Sequence, residues 1–351
     1  MTDDQYMLRC LEIAELGMGN VSPNPMVGCV IVHDDSIIGE GYHMRFGQAH
    51  AEVNAVNAVY AKYPDTADSL LSNATVYVNL EPCAHYGKTP PCADLLVTSG
   101  VKKVVIGNTD PFADVNGKGV LKLKEAGVTV VTGILEEKCR EFNRRFFTRV
   151  TQQRPFIVLK WAETANGYFA PKNTLQEWIS GPLAKKLVHK WRTEEDAILI
   201  GKHTAIFDNP QLSAREWMGK NPIRIVIDKH LQVPSTHHVF NNISKTILFN
   251  EVKTEVLDNI HYIQMEDMQY YLPQKIAFQL YLMDIQSVII EGGANLLTQF
   301  IEAGLWDEAR VFNSAASWDE GITAPEIRGI LVDQVAVGLD RLSIYKNSKT
   351  L

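Results

Sequence analysis

Four side chains in the first hundred residues can together bind a metal and move a proton. They are His50 and Glu52 in "HAE", and Cys83 and Cys92 in "EPCAHYGKTPPC", which spans positions 81 to 92. A catalytic zinc typically takes three protein ligands and keeps its fourth position for water. His50, Cys83 and Cys92 supply one nitrogen and two thiolates for such a site. Glu52 then stays off the metal, free to carry protons. Residues two apart on a regular helix face roughly opposite sides, so His50 and Glu52 can border one pocket only at a first turn. Cys83 and Cys92 are each expected where strand or loop enters a helix, whose dipole favours the thiolate. A closed structural zinc site, with His85 as fourth ligand, competes with this reading but leaves Glu52 idle. Cys10, Cys29 and Cys139 complete the set of five cysteines and read as core or surface thiols.

The order H-x-E, then P-C-x-x-C, is the signature of zinc-dependent nucleobase deaminases. Here eight residues separate the cysteines instead of two, and "PNPMVGCVIV" lies upstream. With these features residues 5 to 150 resemble the N-terminal half of the bifunctional deaminase–reductase family of riboflavin biosynthesis. There "PNPxVG", "HAE" and "EPCxHxGKTPPC" occur in this order. The resemblance implies one zinc ion per chain, Glu52 as the proton carrier, and a substrate pocket lined by Asn24, His43, His85, Lys88 and Thr89. Lys88 is placed to meet a substrate phosphate.

The chain lacks a nucleotide fingerprint of the commonest kinds. "GNTDPFADVNGKG" contains no G-x-G-x-x-G, and no Walker-type loop occurs, which argues against a Rossmann dehydrogenase. "IIEGGANLLTQF" runs from an apolar strand through Glu291, Gly292 and Gly293 into a helix. Such glycines admit a ligand close to the backbone, and the helix start offers amide donors to phosphate. A Gly-Gly turn is often mere geometry, but "RPFIVLKWA", "WISGPLAKKLVHKWRTEEDAILIGKHT", "DNPQLSAR" and "NPIRIVID" resemble, in order, the reductase half of the same family.

That resemblance implies a dihydrofolate-reductase-like fold and NADPH as cofactor. Ala162, Trp178, Thr204, Asp208, Gly293, Ala294, Asn295 and Leu296 would contact NADPH. Gln176, Arg192, Leu212, Arg215 and Glu291 would contact substrate, the arginines suiting a sugar phosphate. Lys160 would polarise the reacting group together with Glu291. The implied reactions are zinc-dependent hydrolytic deamination of a diamino-phosphoribosylamino-pyrimidinone, then reduction of its ribosyl group to ribityl. The chain departs from the family in "ETANG", where Thr164 and Asn166 replace serine and aspartate, and at Gln176, Lys185 and Asn209. The alternative is a single-function zinc nucleobase or nucleoside deaminase whose C-terminal domain is impaired in reduction.

The elements that must hold these residues follow from periodicity. Residues 3 to 17 form an amphipathic helix closed by Gly17. "MVGCVIV", "ATVYVNL", "KKVVIG" and "VTVVTG" read as buried strands, alternating with helices over "HAEVNAVNAVYAKY", "CADLLVTSG" and "KGVLKLKEAG". This alternation implies a mostly parallel sheet with helices on its faces. The rhythm restarts at Pro155, so residues 1–148 are read as the pyrimidine deaminase domain and 149–351 as the reductase domain. The fold class expected is α/β, a cytidine-deaminase-like αβα domain followed by a dihydrofolate-reductase-like domain. Residues 235 to 285 give only weak signals.

The 351 residues are 46% hydrophobic and 21% charged, the balance of a globular protein of about two domains. A net charge of −7 argues against nucleic-acid binding. The one basic cluster, "NRRFFTRVTQQR" at 143 to 154, reads as solvating a domain junction. No apolar run approaches a membrane span and the start is acidic, so the expected location is the cytoplasm. Small phosphorylated pyrimidines are the expected partners, and the family implies a homo-oligomer.

Overall fold

The computed structural model describes residues 1–84, 90–112, 116–172 and 179–348. It divides into two compact units, Met1–Gln153 and Arg154–Leu351. Residue 149, near which the sequence pattern restarts, lies within a helix of the first unit.

In the first unit, strands β1 (Gly28–His33), β2 (Ser36–Tyr42), β3 (Thr75–Leu80), β4 (Lys103–Asn108) and β5 (Thr129–Thr132) form one sheet, ordered β2-β1-β3-β4-β5. Strands β3, β4 and β5 are parallel, but β1 runs antiparallel to both its neighbours. The sheet is therefore mixed. Its helices are α1 (Asp3–Ala14), α2 (Ala51–Lys62), α3 (Ala67–Leu71), α4 (Cys92–Thr98), α5 (Lys118–Glu125), α6 (Glu136–Phe142) and α7 (Arg144–Gln152). Successive strand residues point to opposite faces. Cys29 and Ile31 accordingly pack with Ala55 and Val59 of α2 and Leu96 of α4. Val30 and Val32 pack with Met7 and Cys10 of α1 and Cys139 of α6. Helices on both faces explain why these strands read as unbroken apolar runs. Cys10, Cys29 and Cys139 are all fully buried.

The second unit is built on a ten-stranded sheet. Its strands are β6 (Phe156–Glu163), β8 (Ala197–Gly201), β9 (Ile223–Ile227), β10 (Thr246–Asn250), β11 (Glu255–Leu257), β12 (Ile260–Gln264), β13 (Ser287–Gly292), β14 (Glu308–Asn313), β16 (Ile330–Val337) and β17 (Asp340–Lys346). They are ordered β11-β12-β10-β9-β8-β13-β6-β14-β17-β16. A separate pair joins β7 (Tyr168–Ala170) to β15 (Ile322–Thr323). The core from β12 to β14 is parallel, with antiparallel strands only at the two ends. Helices α8 (Pro182–Glu194) and α9 (Lys202–Asp208) cover one face, and α10 (Leu272–Leu282) and α11 (Ala294–Glu302) the other.

The last arginine of the basic cluster is not a solvated charge. Arg154 is buried and donates twice to Asp307, at 2.6 and 2.7 Å. Among the described residues no helix is long and apolar enough to cross a membrane.

Candidate active sites

In the first unit the three expected ligands converge. His50 is the N-cap of α2, its backbone extended at φ −71° and ψ 166°. Cys92 is the first residue of α4, entered through Pro91. Cys83 follows β3 and, unlike Cys92, does not begin a helix. Its sulfur instead accepts the Cys92 backbone N–H at 3.3 Å. His50 Nδ1 lies 3.6 Å from Cys83 Sγ and 3.3 Å from Cys92 Sγ. All three ligand atoms fall within 4.8 Å of one another. A tetrahedral zinc with bonds of about 2.3 Å to sulfur and about 2.0 Å to nitrogen separates its ligands by similar distances. The donor set fits that ion.

The electrostatics favour one thiolate, at Cys83, with Cys92 as its protonated hydrogen-bond partner. The hydrogen bond with Cys92 holds the Cys83 thiol down to about 4, against the opposing effect of burial and with help from His50. The same hydrogen bond, burial and the nearby Glu52 push Cys92 upward. His50 is raised, first by its hydrogen bond to Cys83. Glu52, only 3% exposed, is raised by burial and then by the Cys83 charge. A carboxyl that takes up a proton readily beside a metal site suits general acid–base work.

Glu52 borders a cavity of about 290 Å³ together with His50, Cys83, Asn24 and His43. His43 Nδ1 lies 3.0 Å from the Ala49 carbonyl and Nε2 lies 3.1 Å from Asn24 Nδ2. The carbonyl can only accept, so Nδ1 carries the proton and Nε2 accepts from the asparagine. Burial lowers the pKa of His43, which keeps this neutral tautomer. His85, Lys88 and Thr89 lie outside the described residues. Sequence reasoning missed Glu81, Asp110, Phe112, Phe146 and Arg149, which also line the cavity. Arg149 carries a signal, being part of the basic cluster, but that cluster reads as solvating a domain junction.

In the second unit a cavity of about 240 Å³ is lined by Lys160, Ala162, Arg192, Thr204, Asp208, Leu212, Arg215 and Glu291. Lys160 and Glu291 follow Leu159 and Ile290, which are paired across the adjacent parallel strands β6 and β13. Alternation puts both side chains on the α8 face of the sheet. From α8, Lys185, Val188, His189 and Arg192 line the cavity at i, i+3, i+4 and i+7, one stripe of a helix. Lys185 and His189 were not expected there. Gly293, Ala294, Asn295 and Leu296 form the entry to α11 and do not line this cavity. Gly293, at φ 64°, sits beside Thr204. Gln176 and Trp178 lie outside the described residues.

The cavity is organised by an ion pair. Arg192 Nε and Nη2 donate to the two oxygens of Glu291 at 3.1 and 2.8 Å, and Nη1 donates to the Ser213 carbonyl at 3.1 Å. Burial pushes the Glu291 carboxyl up, but Arg192 and Lys160 prevail and bring it to about 2. Lys160 is lowered by burial, with Glu291 opposing. His189 is lowered to about 4 by burial and by Arg192 and Arg215. Trp191 points away into the core, where Arg310 stacks 4.6 Å above its ring.

The residues of "ETANG" build a turn instead of lining the cavity. Thr164 Oγ donates to Asn166 Oδ1 at 2.8 Å and accepts the Tyr168 N–H at 2.9 Å. Asn166 also donates to the Trp318 carbonyl at 2.7 Å. Asn209 adopts left-handed backbone at φ 39° and accepts the His238 N–H at 2.7 Å.

Residues 1–108 match the cytidine and deoxycytidylate deaminase zinc-binding region, and residues 155–315 match the RibD C-terminal domain. The chain is 37% identical to the riboflavin biosynthesis protein RibD of Aquifex aeolicus over 93% of its own length and 90% of the relative's. It is 34% identical to the Escherichia coli RibD over 89% and 87% of the two lengths. The crystal structure of a diaminohydroxyphosphoribosylaminopyrimidine deaminase/reductase from Thermotoga maritima superposes with a TM-score of 0.89, at 33% identity and 98% coverage of both chains. An Acinetobacter baumannii RibD structure gives 0.89 at 32% identity, covering 99% of each. Fold and ligand set thus define a zinc-binding deaminase domain of the cytidine-deaminase type joined to a dihydrofolate-reductase-like reductase domain. The chain belongs to the RibD family, the bifunctional deaminase–reductases of riboflavin biosynthesis.

Proposed function

We propose that the first unit hydrolytically deaminates the diamino-phosphoribosylamino-pyrimidinone, and that the second reduces the ribosyl group of the product to ribityl with NADPH. The observation that carries this reading is the convergence of His50, Cys83 and Cys92 within 4.8 Å, beside the buried carboxyl of Glu52. His50 Nδ1 and the two sulfurs would hold zinc, which would supply Lewis-acid activation of a water at neutral pH. Glu52 would carry one proton of the attacking water to the ring nitrogen, and then the remaining hydroxyl proton to the amino group as it leaves as ammonia. His43, fixed by the Ala49 carbonyl, orients Asn24 toward the pyrimidine.

In the second unit Thr204 and Asp208 would face NADPH, which would supply the hydride that reduces the anomeric carbon of the open-chain, imine-like sugar. Lys160, its pKa lowered by burial, lends a proton to the imine nitrogen, and Glu291 holds the ammonium in place. Arg192 commits three of its five N–H donors to Glu291 and Ser213, so it orients Glu291, while the sugar phosphate falls to Arg215. Thr204 and Asp208 serve the cofactor side of the same cavity. The reading takes the chain as a cytoplasmic homo-oligomer acting on small phosphorylated pyrimidines.

The test is an assay of both half-reactions on the purified chain, with metal content measured in the same sample. Glu52→Gln should keep its zinc and lose deamination by about 10²–10⁴-fold, leaving NADPH oxidation on the deaminated substrate intact. Full deamination by that variant would refute the role of Glu52.

A further inference from the structure

Glu81, two residues before the first cysteine ligand, is only 4% exposed. Its carboxylate accepts four backbone N–H groups from a later part of the chain. Oε2 accepts the N–H groups of Asp110 and Gly117 at 3.1 and 3.0 Å. Oε1 accepts those of Gly119 and Val120 at 2.9 and 3.1 Å. The first N–H groups of a helix have no partner within it, and here the start of α5 finds its acceptor in the metal loop. Hydrogen bonds to an ionised acceptor are roughly twice as strong as neutral ones.

A second, independent contact fixes the same approach. A Cβ on Gly119 would stand 2.1 Å from the Pro82 carbonyl oxygen, so the first turn of α5 is pressed against the backbone between Glu81 and Cys83. The segment held in this way begins with Asp110, whose Oδ1 accepts the Phe112 N–H at 2.8 Å. Asp110, Phe112 and Glu81 all border the cavity that contains Glu52.

We infer that Glu81 is a positioning residue of the deaminase site, holding the Asp110–Phe112 wall in register with the metal ligand Cys83. One short stretch, 81 to 83, then sets both the metal and the wall facing it. The inference rests on the deaminase reading above. It concerns how substrate is held, while Glu52 and the metal carry the chemistry.

Glu81→Gln in the full zinc-loaded chain is the direct test. Glutamine has a single acceptor oxygen, and its amide would turn donors toward donors on one side of the cradle. Misplacing a binding wall by about 1 Å can cost up to about 100-fold. The expected result is a KM for the deamination substrate raised about tenfold or more, with one zinc per chain and kcat changed far less. Gly119→Ala displaces the same turn without touching the carboxylate and should give the same KM-weighted loss. Unchanged KM in both variants would overturn the inference, as would equal loss of kcat and zinc. If neither variant can be recovered as zinc-loaded soluble protein, Glu81 serves folding alone and the inference falls. Absence of deamination in the unaltered chain would instead count against the underlying reading.

Discussion

The two cavities are held together by opposite strategies. In the first, three ligand atoms lie within 4.8 Å of one another, and each is placed by a backbone junction: a helix N-cap, the exit of a strand, a helix's first residue. In the second, the central groups are charges that place one another. Arg192 reaches Glu291 across 99 positions of sequence, and Lys160 completes the cluster. Metal coordination tolerates few residue types and fixed distances, so the first site is rigid by construction. A buried ion pair depends on both partners, and removing one leaves an uncompensated charge.

That contrast can be broken most severely by removing the metal. Exhaustive chelation should abolish deamination, followed as ammonia release, while NADPH oxidation on the deaminated substrate stays within about twofold, because among the described residues the reductase cavity contains no metal ligand set. Parallel loss of both activities would show that the two sites are not separable. A smaller effect is expected from Arg192→Gln. Arg192 and Lys160 hold Glu291 near 2 against burial, so losing the guanidinium lets burial raise the carboxyl. The acid limb of kcat/KM for reduction should then move to higher pH, at about tenfold in rate per unit moved. A limb that stays in place would mean that Glu291 is not held ionised by Arg192. The least effect is expected from Asn166→Asp, which restores the family's usual charge. Asn166 lies in a turn outside the cavity, so steady-state reduction should change by less than about twofold and stability by about 0.5 kcal/mol. A large gain in kcat would place that turn in the reaction after all.

The same contrast explains what was legible in the sequence. His50, Glu52, Cys83 and Cys92 could be found because a metal restricts both identity and spacing. Lys160 and Glu291 needed a family resemblance, since lysine and glutamate at strand ends are common. Lys185 stands out only as a departure from the family, and His189 not at all, although both share the helical stripe of Arg192; that stripe reads equally well as a solvated face. Glu81 was seen only as a letter of the motif, because backbone N–H acceptors leave no mark in side-chain types. Strand β2 leaves little strand signature in the sequence, because glycines at 39 and 41 interrupt "SIIGEGY". In the structure Gly41 lies flat under α2, where a Cβ would stand 2.6 Å from the Ala51 carbonyl. The hairpin of β16 and β17 was equally hidden, since β16 is exposed along nearly its whole length and shows no buried face.

Asp307 has a consequence beyond burying a charge. Its carboxylate receives Arg154, the first residue of the second unit, and the Ile157 N–H, while its carbonyl accepts the N–H of Asn347, at the close of the last strand. The point where the chain enters this unit and the point where it leaves therefore meet at one residue. A unit closed in this way is a cassette: it can be cut out, transplanted into a foreign loop or given new ends by permutation without stretching its sheet. Such operations must carry Arg154 along, because a cut at Pro155 would strand the Asp307 charge inside.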